Sequence, residues 1–179
     1  MQLLDSDRKW YNRLFKDARI GNFSYTEFAK LSEKYPHLMN AMDLTGCTLL
    51  MYACKHSDSI AGDLIDLGAD PSFGDSKKNT PLHYACNSHL NIKVVQKLLG
   101  ANVNSVNHYN ETPLIVAIKR SGNIELVKCL VENGAKNYIY EGKTTLDHAT
   151  ECGDEVVIEY LSQLNDSWLT FQFRDAKDN

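Results

Sequence analysis

The side chains best able to do chemistry in this 179-residue chain are histidines and cysteines that recur at helical spacing. His83, Cys86 and His89 stand at positions i, i+3 and i+6, and His148 and Cys152 at positions i and i+4. Imidazole and thiolate groups ligate zinc, and a cysteine beside a histidine can serve as a nucleophile. Three ligands spread over two helical turns do not converge easily on one ion. We therefore predict no metal site, and we interpret His148 and Cys152 as an exposed or half-packed helix face.

A thiol- or metal-dependent enzyme centred on Cys86 and His83 is the functional alternative. Such an enzyme requires a reactive thiol in an accessible cleft. The sequence contains no phosphate-binding loop, no paired-carboxylate motif and no nucleophile elbow. We interpret Cys54 and Cys86 as small buried apolar side chains. The chain is predicted to use no cofactor and to catalyse no reaction.

Composition and charge narrow the class of protein further. Apolar residues make up 43% of the chain and charged residues 23%, which is typical of an ordinary globular protein. The net charge of -4 gives no global attraction to nucleic acid or acidic lipid. No apolar run approaches the roughly 20 residues that span a bilayer, and the N-terminus is charged before a signal sequence could form. The five cysteines are odd in number and scattered, which favours a reducing compartment. We expect a cytoplasmic protein that binds neither nucleic acid nor membranes.

The helices that position these side chains can be predicted because the sequence contains internal repeats. Threonine, leucine and alanine each recur at a constant spacing of 32 residues: Thr48, Thr80, Thr112, Thr144; Leu50, Leu82, Leu114, Leu146; and Ala53, Ala85, Ala117, Ala149. A threonine followed by proline, as at residues 80–81 and 112–113, is a helix N-cap with proline in the first turn. A second helix is predicted in each copy, and a glycine in the left-handed conformation is expected to end it, at Gly68, Gly100 and Gly134. No unit buries its own apolar face, so the units must stack.

One copy carries the signature of a known family. Residues 80–85, Thr-Pro-Leu-His-Tyr-Ala, match the T-P-L-H-x-A motif of the ankyrin repeat. Three further segments resemble the G-A-D-V-N stretch of the same family, at residues 68–70, 100–104 and 134–135. The resemblance covers residues 41–164 and implies an all-α ankyrin-repeat solenoid of helix–turn–helix units joined by β-hairpin-like loops. It also implies that His83, the signature histidine, makes local hydrogen bonds.

The resemblance divides the chain into units. Four regular units are expected, the last of them a C-terminal cap: residues 41–72, 73–104, 105–136 and 137–165. Residues 1–40 contain a weaker copy, which we interpret as a divergent N-terminal capping unit, with a separate domain as the alternative. In the tail, residues 166–179, apolar side chains alternate as in a strand at Leu169, Phe171 and Phe173. The tail is predicted to pack on the last unit; the alternative is a linear motif that docks on another protein.

Ankyrin-repeat proteins generally bind other proteins through hairpin tips and the concave face made by their first helices. Transferred to this sequence, the resemblance implies these protein-binding residues: Met42, Leu44, Phe73, Lys77, Asn79, His108, Tyr109, Glu111, Lys119, Arg120, Tyr138, Tyr140 and Lys143. Aromatic side chains in loops are candidate anchors, so Tyr109 and Tyr140 are predicted to hold the partner. For Phe73 and Tyr138 the alternative is packing against a neighbouring hairpin.

The function predicted from these features is non-enzymatic protein binding. The chain is expected to be a monomeric adaptor, scaffold or inhibitor that acts by occupying the surface of another protein. Besides the thiol enzyme, the alternative is a structural protein that assembles with itself through the tail.

Overall fold

The computed structural model describes residues 5–88, 91–120, 122–139 and 142–164, together with the backbone of residues 172–173. The regular secondary structure of the described part is helical except for two short strands. The helices are α1 (Asp5–Arg19), α2 (Tyr25–Lys34), α3 (Leu49–His56), α4 (Asp58–Asp66), α5 (Pro81–Asn87), α6 (Ile92–Leu98), α7 (Pro113–Arg120), α8 (Ile124–Glu132), α9 (Thr145–Cys152) and α10 (Glu155–Ser162). The strands are β1 (Tyr138–Ile139) and β2 (Gln172–Phe173), and a short 3-10 helix spans Pro36–Leu38.

The helices form two layers. Helices α1, α3, α5, α7 and α9 lie side by side in the first layer, each packed on the next. Helices α4, α6, α8 and α10 form the second layer, and each packs on the first-layer helix that precedes it in the chain. Contacts therefore run mainly between neighbouring units, as in a solenoid. The predicted all-α solenoid is confirmed.

The repeated alanines lie where the first-layer helices meet. Ala53, Ala85, Ala117 and Ala149 are all completely buried. A side chain of one methyl group lets adjacent helices approach closely, and larger residues fill the space between the layers. The thiols of Cys54 and Cys86 are buried within the same core, in agreement with their interpretation as small apolar side chains.

The threonines begin the first helix of each unit. The hydroxyl of Thr48 accepts a hydrogen bond from Met51 N at 3.3 Å, and Thr144 accepts one from Asp147 N at 3.1 Å. These bonds satisfy amide groups that have no partner within the helix. In return, Asp147 Oδ2 accepts from Thr144 N at 2.7 Å, which completes a capping box.

We number the loops of seven residues before the threonines as hairpins 1 to 4 (residues 41–47, 73–79, 105–111 and 137–143). Residues 140 and 141 of hairpin 4 lie outside the described residues. Asp75 organises hairpin 2, because its Oδ1 atom accepts hydrogen bonds from Lys77 N at 2.8 Å and Asn79 N at 2.7 Å. Side-chain carboxylates and amides commonly nucleate turns in this way. Asp43 and Asn107 do the same in hairpins 1 and 3. Sequence analysis missed these residues.

Hydrogen bonds also join one hairpin to the next. Ser76 N donates to Thr45 O at 3.1 Å, which links hairpins 1 and 2, and His108 N donates to Lys77 O at 2.8 Å, which links hairpins 2 and 3. Two residues before each threonine the backbone is left-handed, with φ of 76° at Gly46, 60° at Lys78, 56° at Asn110 and 75° at Gly142. This repeated turn sets the path of every hairpin.

Hairpin 4 differs from the other three. The connection from Gly134 to Thr144 is two residues shorter than the corresponding connections before it. It contains β1, which pairs in parallel with β2, so that Tyr138 lies opposite Gln172 and Ile139 opposite Phe173. This pairing brings the backbone of residues 172–173 against the last unit. Leu169 and Phe171 lie outside the described residues.

The predicted left-handed cap is wrong at one of the three glycines. Gly68 and Gly134 have φ of 94° and 89°, but Gly100 is not in the left-handed region. After α4 and α8, the amide of the following alanine donates to the carbonyl five residues back, which requires a left-handed glycine. After the shorter α6, Ala101 N instead donates to Leu98 O, three residues back. That tighter turn does not need a left-handed residue.

Candidate functional site

A groove of about 740 Å³ lies where hairpins 2 to 4 meet α5, α7 and α9. The groove brings together seven of the predicted binding residues: Asn79, His108, Tyr109, Glu111, Lys119, Arg120 and Lys143. Hairpin 3 contributes lining residues 107–111, and the last turn of α7 contributes the basic side chains of Lys119 and Arg120. The repeat register therefore gathers residues that are far apart in sequence.

The other predicted residues lie elsewhere. Met42 and Leu44 are exposed on hairpin 1, outside the groove. Phe73 is half-buried and packs against the hydrophobic core. Tyr138 is half-buried in β1. Tyr140 lies outside the described residues.

Tyr109 stands at the rim of the groove. Its side chain is 54% exposed, and its amide donates to Asn107 Oδ1 at 2.9 Å. Lys77 approaches from hairpin 2, with its Nζ atom 5.4 Å from the centre of the Tyr109 ring. An ammonium group at this distance from an aromatic face is attracted to it. The tyrosine is thus held in place on one side and open to solvent on the other.

Ion pairs mark the walls of the groove. Lys119 Nζ lies 2.8 Å from Glu111 Oε1, which connects α7 to hairpin 3. Lys143 pairs in the same way with Glu151, which connects hairpin 4 to α9. All four side chains are at least partly exposed, so these pairs add little stability and remain exchangeable.

A chain of hydrogen bonds supports the groove from below. Tyr84 donates to Asp75 Oδ2 at 2.8 Å, and Asn79 Nδ2 donates to the same oxygen at 3.1 Å. Asn107 Nδ2 in turn donates to Asn79 Oδ1 at 2.9 Å, so hairpins 2 and 3 are bonded through side chains. Asn79, predicted as a binding residue, is therefore also part of the scaffold. The sequence does contain a signal for Asp75 and Asn107. An aspartate or asparagine stands five residues before three of the repeated threonines, at Asp43, Asp75 and Asn107.

Cys86 and His83 are not arranged as a nucleophile and its base. The His83 ring is 2% exposed; its Nδ1 atom accepts from Thr80 N at 3.1 Å, so Nε2 carries the proton and donates to Glu111 O at 3.0 Å. Burial raises the pKa of the Cys86 thiol well above its usual range, which disfavours the reactive thiolate. Within the described ranges no group of three or more histidine, cysteine and acidic side chains could hold a metal ion. His89 lies outside those ranges.

The buried imidazole of His83 is expected to make stability depend on pH. Burial lowers its pKa from the ordinary value of 6.5, so the unfolded chain binds the proton more readily than the folded chain. The stability that His83 contributes is therefore present above pH 6.5 and is lost as the pH falls. Urea unfolding between about pH 7.5 and about pH 5.5 should show a decline of at most about 1.4 kcal/mol per pH unit from this one group.

The matched variant is His83→Gln, because glutamine at this helix position can also accept from the capping amide. Its stability should fall less steeply with pH than that of the unmodified chain. Burial, followed by the charge of Lys119, also lowers the pKa of His148, but His148 is present in both proteins. Parallel pH profiles for the two proteins would show that His83 is not the responsible group.

His148 is not the exposed or half-packed residue that its spacing with Cys152 suggested. Its side chain is buried and lines the groove, whereas Cys152 is exposed. Helix α7 packs against α9, and helical spacing within α9 does not reveal that contact.

Comparison with known families identifies the architecture. The family description for ankyrin repeats in three copies matches residues 18–103 and 91–168, which together are most of the chain. The chain belongs to the ankyrin-repeat family. Ankyrin repeats are generally protein–protein interaction modules, and the family is typically non-enzymatic.

Curated ankyrin-repeat relatives occur in viruses and animals. An ankyrin repeat protein of Fowlpox virus (strain NVSL) is 35% identical over 111 residues, which are 62% of this chain and 20% of that protein. An ankyrin repeat protein of Acanthamoeba polyphaga mimivirus is 42% identical over 66 residues, 35% of this chain and 33% of the relative. The transient receptor potential channel pyrexia of Drosophila melanogaster is 28% identical over 125 residues, 66% of this chain and 13% of the channel. The ankyrin-repeat chain thus spans a third or less of each of these relatives.

The helices of this ankyrin-repeat chain are short. None of those in the described ranges has the length and apolar character needed to cross a membrane.

Proposed function

We propose that this ankyrin-repeat protein binds another protein in the groove between hairpins 2 to 4 and the first-layer helices, and acts by occupying that partner's surface. The observation that supports this proposal most strongly is the convergence of exposed aromatic and charged side chains on one groove above a hydrogen-bonded scaffold. A preorganised surface binds more tightly because little order is lost on association. Adaptor, scaffold and inhibitor are the roles that such binding serves.

Tyr109 is the proposed anchor of the interface. Tyrosine is among the residues that most often dominate binding energy, because its ring buries a large area with few rotatable bonds. The exposed half of Tyr109 is available to a partner, and Lys77 and Asn107 fix its position. The ion pairs at Lys119 and Lys143 would then adjust association rate and specificity more than affinity.

A reducing compartment, such as the cytoplasm, is the proposed site of action. All five cysteines are free thiols, and four of them are buried. A chain that stacks its units without disulfides does not need an oxidising environment to fold. We also propose that the protein acts as a monomer.

The test begins with a pull-down that uses the full chain and identifies captured proteins by mass spectrometry. Affinity for a captured partner is then measured by titration. Tyr109→Ala should weaken binding by about tenfold or more, which corresponds to about 1.4 kcal/mol. Because Tyr109 is exposed, the free energy of unfolding of the Tyr109→Ala protein should differ from that of the unmodified chain by less than about 0.5 kcal/mol.

Tyr25→Ala is the matched control, since Tyr25 is equally exposed at 54% but lies at the start of α2, away from the groove. This variant should bind with unchanged affinity. If folded Tyr109→Ala protein keeps full affinity, the partner binds another face or the tail, and the groove proposal is wrong.

A further inference from the structure

One position in the repeat carries a polar pair in the first two regular units that is absent from the last two. In the first two regular units a tyrosine on the first helix donates to the acid of its hairpin nine residues earlier. Tyr52 donates to Asp43 Oδ2 at 2.8 Å, and Tyr84 donates to Asp75 Oδ2 at 2.8 Å. In the last unit the register places His148 at the tyrosine position and Ile139 at the acid position. Ile139 offers no side-chain acceptor, so this unit lacks the pair.

His148 is consequently buried without a partner. Its side chain is 8% exposed, and neither ring nitrogen has a hydrogen bond within the described residues. Glu151 Oε2 lies 3.8 Å from Nδ1, which is beyond hydrogen-bonding distance. Buried polar groups in native proteins are nearly always bonded, so this imidazole in the wall of the groove has unused hydrogen-bonding capacity. Both ring nitrogens are closed off from solvent, so a ligand reaches them only if a neighbouring side chain moves aside.

The charges around the ring favour an anion. Among the described residues, the groove is lined by three basic side chains, Lys119, Arg120 and Lys143, and by two carboxylates, Glu111 and Glu151. One further negative charge would balance this set. Among the described residues, Asp147 is a further acid near the ring, but it is exposed and bonded to Thr144, so it does not supply that charge.

We infer that the groove receives an aspartate or glutamate side chain of the partner protein, and that His148 donates a hydrogen bond to its carboxylate. This inference rests on the proposed function. The ring can carry its proton on either nitrogen, because no hydrogen bond fixes one form. A lysine or arginine of the partner would meet like charge at Lys119 and Lys143, and a hydroxyl group would leave the excess charge unbalanced.

The acid nearest to the His148 ring is easily displaced. Glu151, the nearest acid, is held by Lys143 in an ion pair whose two side chains are about half exposed. Such pairs contribute little, so a partner's carboxylate can take the place of Glu151 beside Lys143 at small cost. A groove of about 740 Å³ has room for the chain segment that carries this carboxylate.

The test uses short random peptides displayed with their C-termini fused to a carrier, so that only side chains supply carboxylates. Peptides are selected on the immobilised full chain. Selected sequences should share an aspartate or glutamate at one position. Replacing it by asparagine or glutamine should weaken binding by about tenfold or more, as expected for loss of a charged hydrogen bond.

His148→Leu should weaken binding of the acidic peptide by a similar factor. It should leave the affinity for the amide-containing peptide unchanged. Leucine has nearly the volume of histidine and removes an unsatisfied polar group, so the variant should melt at the same temperature or higher. Arg120→Gln removes a basic side chain at an exposed position, so it does not disturb the core. It should also weaken binding of the acidic peptide. Tyr52→Phe is the control, because it changes the equivalent position of the first regular unit, outside the groove.

Each outcome has a distinct meaning. Peptides that need Tyr109 but carry no shared acid, or that bind His148→Leu fully, would overturn the inference while supporting the proposed groove. Peptides that bind regardless of Tyr109, Arg120 and His148 would overturn both. Failure to select any peptide would refute capture of an acidic segment, and the pull-down would still test protein binding.

Discussion

Replacing Ala117 by leucine is expected to destabilise the protein by about 1–3 kcal/mol, the usual cost of overpacking a core. Ala117 is completely buried on α7, which packs against α5 on one side and α9 on the other. The isobutyl group has no space there unless the helices move apart. Because the neighbouring units stack on the same layer, the displacement would be felt beyond α7. Urea unfolding monitored by circular dichroism measures the change.

Gln96→Leu is the matched control for this substitution. Gln96 lies on α6 with its side chain exposed, so leucine is added to a helix without entering the core. Its effect should stay within about 0.5 kcal/mol. If Ala117→Leu unfolds at the same urea concentration as the unmodified chain, the repeated alanine does not mark close helix contact.

Replacing Gly46 by alanine is expected to cost about 2 kcal/mol or more, from backbone strain and a disturbed hydrogen bond together. Gly46 has φ of 76°, a region that residues with a Cβ atom avoid. A Cβ atom at this position would also lie only 2.7 Å from Ser76 N. That amide donates to Thr45 O, so the added methyl group pushes hairpin 2 away from hairpin 1.

Two variants at the same repeat position separate the two causes. Gly142 has φ of 75°, but a Cβ atom there would meet no described atom within 4 Å, so Gly142→Ala should cost only the strain of about 1 kcal/mol. Lys78 occupies this position with φ of 60°, and Lys78→Gly should therefore stabilise the chain. Equal losses for Gly46→Ala and Gly142→Ala would show that the contact between hairpins 1 and 2 contributes nothing.

The sequence is sufficient to predict the solenoid because the residues that recur every 32 positions are ones whose recurrence close helix packing explains. Threonine starts each first helix and alanine lies between adjacent ones, so Thr80 and Ala85 together predict both a helix and its neighbour. Helix ends were less predictable. Gly100 looked like Gly68, but the length of α6 decides the turn, and helix length depends on packing that the local sequence does not contain.

The candidate site was predictable in its exposed residues and not in its buried ones. The repeat places Tyr109 at a loop tip and Lys119 at a helix end, and the structure has both positions in the groove lining. His148 was misread because its burial depends on residues from other units. Comparing units position by position would have found it, since histidine and isoleucine replace the tyrosine and acid of the first two regular units.

The stacking of each unit mainly on its neighbours lets the protein open from one end without losing its groove. Helix α1 meets the rest of the first layer at α3, whereas the groove is built on α5, α7 and α9. Fraying of the first helix pair therefore removes one interface and leaves the others formed, since cooperativity in such arrays passes from unit to unit. The N-terminal end can exchange its amide hydrogens with solvent in brief openings while the groove stays assembled. Binding in the groove would protect only the units that it spans.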